Sequence, residues 1–202
     1  MLRKILSGIS AGILISIGGA VYLSCENRYV GAVLFSVALL CICIQGYALF
    51  TGKVCYLIAD HSKESFSVTL LALLGNLIGT YLCGLAIAYA VPACKETAKT
   101  ICTAKLDQAA FQTLIRAVFC GMLVYLAVDI YKTKQNLVGI LFCIPVFILS
   151  GFEHSIADLF YFACSGIVSL SACGFIWLVI LGNAVGGMLL PVLNMRRKEK
   201  SR

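Results

Sequence analysis

Gly151-Phe152-Glu153-His154-Ser155-Ile156-Ala157-Asp158 is the stretch on which the reading of this chain turns. It sets carboxylates, an imidazole and a hydroxyl inside an otherwise apolar segment. Ionisable groups at membrane depth are costly and face a pathway or a cavity. The apolar run before it, from Leu137 to Ser150, extends about 21 Å at about 1.5 Å per residue. A hydrocarbon core is about 30 Å thick. The helix is therefore predicted to break at the polar motif and resume through Ile156 to Cys164. Broken backbone at that depth survives only where protein buries it or water lines it, so the chain reads as a membrane conduit.

Composition supports the membrane assignment. Of 202 residues, 61% are hydrophobic and 12% charged, outside the range of soluble domains. A single transmembrane domain over residues 1–202 is expected. The net charge of +7 does not point to nucleic acid. Arg196, Arg197, Lys198, Lys200 and Arg202 follow an apolar helix and form a tail at 196–202. Such a tail marks the cytoplasmic side and touches anionic lipid. The 11 cysteines show no C-x-x-C spacing and read as small hydrophobes in helix packing. Cys94 and Cys102 share one polar stretch and are a candidate pair. No metal or cofactor is expected.

Six hydrophobic segments are predicted: Ile5–Leu23, Val30–Ala59, Phe66–Val91, Leu106–Ile130, Leu137–Cys164 and Ile167–Met195. The second is interrupted near Gln45–Lys53 and the fifth at the quoted motif. Pro92 to Lys105 is expected to be the longest loop. Arg3, Lys4, Lys63, Lys132, Lys134 and the tail fall on one side. Arg28, Lys95, Lys99 and Lys105 fall on the other. This excess puts both termini in the cytoplasm. Lys53 and Arg116 are left at membrane depth, and Arg116 is the candidate partner for Glu153, both as polar structural support. Gly75-Asn76-Leu77-Ile78-Gly79 rhymes with Gly182-Asn183-Ala184-Val185-Gly186. Three segments per half require oppositely inserted halves, about 1–91 and 105–195. That is an inverted repeat with its site at the midplane between two broken helices.

In its motifs the chain resembles the formate/nitrite transporter family. Gly151 to Ala157 matches the family's fifth-segment signature, and Leu49-Phe50-Thr51-Gly52 stands at the corresponding first-half break. Ser7-Gly8 with Ala11-Gly12, Lys105, Arg116, Leu123-Val124 with Leu126-Ala127-Val128, and the two GN-x-x-G motifs agree in order. The resemblance implies an all-α membrane protein of aquaporin-like fold. It implies a homopentamer in the inner or plasma membrane with one pore per protomer. It further implies passage of small monovalent weak-acid anions, passive or proton-linked: formate, nitrite, hydrosulfide, acetate or lactate. Matching positions imply an outer apolar constriction from Phe35 and Phe147 and an inner one from Leu39 and Phe50. His154 and Thr51 lie between, Lys105 sits in the outer vestibule, and Ser155 and Asp158 border the pathway. Three positions depart from the family pattern: Asp158 stands where Asn is usual, Gly121 replaces a common Asn, and Lys53 follows Thr51-Gly52.

The chemistry asks for these residue types. An unpaired ion is expensive in an apolar constriction, whereas a neutral weak acid is not. Positive potential from Lys105 would draw the anion in, and a proton would then neutralise it. His154, whose ordinary pKa is about 6.5, would either donate that proton or hydrogen-bond the anion while water protonates it. Thr51 would hold the other side. The alternative transport reading is a neutral-solute facilitator for water or a small alcohol, although the asparagine-proline-alanine pairs expected at its helix breaks are missing. Catalysis is disfavoured because His154 and Ser155 are sequence neighbours whose side chains do not face each other on a helix, and no H-E-x-x-H motif is present. The chain is not expected to be an enzyme.

Overall fold

The computed structural model describes residues 1–200, with side chains through residue 194, so the basic side chains at 196–202 lie outside the described residues. Within this range the chain is all-helical. The elements are α1 (Leu2–Ser24), α2 (Arg28–Gln45), α3 (Phe50–Lys53) running into a 3-10 turn (Val54–Ile58), α4 (Lys63–Ala90), α5 (Pro92–Leu106), α6 (Ala110–Lys134), α7 (Val138–Leu149), α8 (Ser155–Ser165) and α9 (Leu170–Lys200). Five of them (α1, α2, α4, α6 and, over Leu170–Asn194, α9) are long and apolar enough to cross a bilayer. α7 and α8 are shorter and apolar.

Small residues set how closely the long helices approach. On α1, a Cβ at Gly8 would lie 2.8 Å from the Ala72 carbonyl oxygen, and one at Gly12 2.7 Å from that of Asn76. On α6, a Cβ at Gly121 would collide with the Asn183 carbonyl oxygen of α9. α1 therefore packs backbone to backbone on α4, and α6 does the same on α9, as small-residue seams allow in membranes.

Both interruptions are built alike. α2 ends at Gly46, whose φ of 70° suits glycine, and the Tyr47 N–H reaches back to the Ile42 carbonyl at 3.0 Å. α7 is followed by Gly151, also at φ 70°, and the Phe152 N–H reaches back to the Phe147 carbonyl at 2.9 Å. Each is a glycine helix stop of the Schellman type. A few extended residues follow before α3 or α8 begins.

Asparagine side chains span the extended pieces. Asn76, fully buried on α4, accepts from the Phe50 N–H at 2.8 Å and donates to the carbonyls of Ala48 (2.9 Å) and Gly8 (2.8 Å). Asn183, fully buried on α9, accepts from the Ser155 N–H at 2.9 Å and donates to the carbonyls of Glu153 and Ala117, both at 2.8 Å. Ser7 adds an acceptor for the Ala48 N–H at 3.0 Å. The Ala48, Phe50 and Ser155 N–H groups and the Ala48 and Glu153 carbonyls at the breaks are thus paired within the protein, which lowers the cost of broken backbone at depth in a bilayer.

Pro92 to Lys105 is not a loop. It forms α5, with Pro92 in the first turn, where its missing N–H costs nothing, and with Cys94, Ala98 and Cys102 buried at four-residue spacing. That stripe seats α5 on α8, a periodicity the polar composition of the segment concealed. The candidate Cys94–Cys102 pair does not form, because both are free thiols. Eight residues along a helix separate them by about 12 Å, beyond disulfide reach. Burial pushes the Cys102 thiol up to about 12.

Replacing Asn76 or Asn183 by alanine is expected to leave buried backbone donors and acceptors unpaired, at about 1–3 kcal/mol per group. Each variant should lose thermal stability in detergent, measured as Tm. An unchanged Tm in both would mean that the carboxamides do not hold the breaks together.

Candidate functional site

His154 is the N-cap of α8, and its ring is fixed by the backbone it caps. Nδ1 accepts from the Ala157 N–H at 3.2 Å, so in the neutral ring the proton sits on Nε2. Nε2 lies 3.1 Å from Thr51 Oγ1. Nε2–H therefore donates to the threonine hydroxyl, which keeps its own hydrogen. Thr51 sits at the start of α3, so the two breaks present their polar side chains to each other. Both residues are buried, at 3% and 1% exposure.

Apolar rings close round this pair. Phe147 stacks on the His154 ring, with centroids 5.6 Å apart and planes at 17°. Phe35 meets Phe147 edge-on at 6.4 Å. Leu39 and Phe50 are both buried. One cavity of about 240 Å³ reaches Phe35, Phe147 and His154 on one side. A smaller one of about 90 Å³ is lined by Leu39, Leu49, Gly52 and Val128 on the α3 side. His154 thus lines the larger cavity, and Gly52, the neighbour of Thr51, lines the smaller one.

Lys105, on the last turn of α5, is not a free vestibule charge. Its Nζ pairs with Glu153 Oε2 and with Asp158 Oδ1, the latter at 3.0 Å. Gln108 Nε2 donates to the other Glu153 oxygen at 3.0 Å. The two carboxylate side chains are only 2% exposed. Lys105 also lies 5.9 Å from the centre of the Phe175 ring. The expected Arg116–Glu153 pairing is therefore corrected: Glu153 pairs with Lys105, whereas Arg116 lines the larger cavity and forms no ion pair among the described residues. The α5 helix, not foreseen, is what delivers Lys105 to the carboxylates. Asp158 Oδ2 and Ser155 Oγ are buried without a hydrogen-bond partner.

The sequence reading overlooked Arg28, Gln108 and Tyr22, which also line the larger cavity, and the splinting role of Asn76 and Asn183. The asparagines carried a usable signal, since an uncharged amide repeated at matching places in two apolar segments has to find buried partners. Nothing local marks Arg28 or Gln108.

A family model described as formate/nitrite transporter matches residues 1–195. The uncharacterized transporter YrhG of Bacillus subtilis (strain 168) is 30% identical, across 87% of this chain and 75% of that protein. Nitrite transporter NirC of Escherichia coli (strain K12) is 26% identical, across 89% of this chain and 74% of its own length. Among solved structures, a pentameric formate channel with formate bound superposes with a TM-score of 0.84 at 23% identity, covering 98% of this chain and 97% of that one.

Breaking a buried ion pair from one side costs about 3–5 kcal/mol. Lys105→Met is accordingly expected to lower Tm sharply. Asp158→Asn, which removes one of two carboxylates facing a single ammonium, is expected to hold or raise it. The reverse order of the two Tm values would contradict the charge arrangement described.

Proposed function

The chain belongs to the formate/nitrite transporter family, and from that premise we propose that it conducts small monovalent weak-acid anions across the cell membrane, with a proton accompanying each anion. The family is one of transporters, not enzymes. The observation that carries the reading is the buried Thr51–His154 pair, held by the ends of two interrupted helices.

In this reading the chain crosses the bilayer six times. α2 with α3, and α7 with α8, are the broken crossings, and residues 1–91 and 105–195 are inverted halves. Both termini face the cytoplasm, α5 lies along the outer face, the larger cavity is the outer vestibule and the smaller one the inner. Five copies assemble, each with its own pathway.

The chemistry follows from the donors. The neutral acid that parts Thr51 from His154 accepts two hydrogen bonds, Nε2–H from the imidazole and O–H from the threonine. The Ala157 N–H occupies Nδ1, so the imidazole serves as a fixed neutral donor and water supplies the proton. In the outer vestibule the anion takes a proton from water, which leaves hydroxide on that side. The neutral acid passes Phe35 and Phe147, then Leu39 and Phe50, and gives its proton back to water at the far end. Crossing the apolar rings as a neutral molecule avoids the desolvation cost of a bare ion. Ser155 and Asp158 border this route.

Stopped-flow uptake of formate, nitrite and hydrosulfide into proteoliposomes, with a pH gradient imposed or collapsed, tests the proposal. Uptake of at least one anion is expected to rise when the outside is made more acidic. His154→Ala and His154→Phe are expected to abolish uptake or change its pH profile strongly. Wild-type rates and pH dependence in both variants would rule out this role for His154. Uptake of water or small alcohols without any anion would support a neutral facilitator instead.

A further inference from the structure

The smaller cavity is lined by two cations, Lys53 and Lys132, together with Gly46, Tyr47 and Tyr131, and no carboxylate among the described residues lines it. Neither lysine forms an ion pair among the described residues. The nearest acid on the same helix, Asp129, lies one turn before Lys132 and makes no salt bridge with it. Lys132 sits over the Tyr56 ring at 3.8 Å, which fixes where its charge lies. Lys53 is half-buried and also borders a neighbouring recess lined by Arg3 and Lys4. The contrast with Lys105, whose charge is answered by two carboxylates, is direct.

Two like charges lining one small, largely apolar cavity are stabilised by an anion placed between them, and a recess with low-dielectric walls concentrates the attraction. The volume, about 90 Å³, has room for one small ion together with a few waters, since about 10–15 Å³ of such space admits one water. We propose that this cavity is an anion subsite, distinct from the Thr51–His154 pair, in which Lys53 and Lys132 bind one small monovalent anion. For its purpose the subsite rests on the conduction reading, as the inner station where anions are collected or released. Its chemistry stands without that reading.

Cys43 lines the same cavity and provides a probe that does not depend on transport. Iodoacetate and iodoacetamide are nearly the same size and differ in charge. In purified, detergent-solubilised protein, alkylation of Cys43 by each reagent is followed by peptide mass spectrometry. The exposed Cys173 serves as an internal reference. The ratio of iodoacetate to iodoacetamide rates removes any difference in thiol acidity. Relative to Cys173, that ratio at Cys43 is expected to be about tenfold higher in the wild type than in K53Q/K132Q, to be kept in K53R/K132R, and to fall as salt rises. An equal ratio in wild type and K53Q/K132Q, or a Cys43 that reacts with neither reagent, would overturn the subsite. In proteoliposomes, K53Q/K132Q should raise the half-saturating anion concentration on the Lys53 side with little change at saturation. Loss of the alkylation preference with ordinary wild-type uptake would sink the subsite alone. A clear preference in a protein that carries no anion would sink the conduction reading alone.

Discussion

The architecture depends on one constraint: two helices stop inside the protein, where their backbone groups need partners from the chain itself. Asn76 and Asn183 meet it. Each carboxamide takes the N–H of the residue that restarts the helix and gives its own hydrogens to a carbonyl of the extended piece and to a carbonyl of the neighbouring long helix. Without those bonds the breaks would expose unpaired groups at a depth where each is costly. The glycine seams serve the same end. They let α1 approach α4, and α6 approach α9, closely enough for one amide to touch both.

That scaffold fixes the polar pair. His154 caps α8 through Nδ1, and the geometry of the cap leaves Nε2–H aimed at Thr51. The imidazole's orientation is thus set by backbone, and its stacking on Phe147 is set by the helix stop at Gly151. A residue that looks like an isolated titratable group is held in one tautomer by its neighbours.

The placement of charge differs on the two sides of the pair. On one side Lys105 is enclosed by Glu153 and Asp158, which ties α5 to the second break more than it offers a free charge. Arg28 and Arg116 border the same cavity. On the other side Lys53 and Lys132 line a small recess with no acid among its described lining residues. Two of the chain's three departures from the family pattern, Asp158 and Lys53, lie in these two settings.

Much of this was legible along the chain. Apolar run lengths marked the spanning helices, Gly46 and Gly151 lie at the two interruptions, and the quoted motif with its first-half counterpart singled out His154 and Thr51. These are local properties, carried by hydropathy and by the backbone freedom of glycine. The rest was decided by contact. The polar segment 92–106 became a helix because three small residues at four-residue spacing found α8 to pack on. Glu153 took Lys105 in place of Arg116 because α5 brings the lysine across the second break, a meeting 48 residues apart in sequence. Which side chains share a cavity, and which cations lack a carboxylate, depends on distances between helices. The sequence names the charged groups and the breaks, and only the packed chain determines which of them neutralise one another.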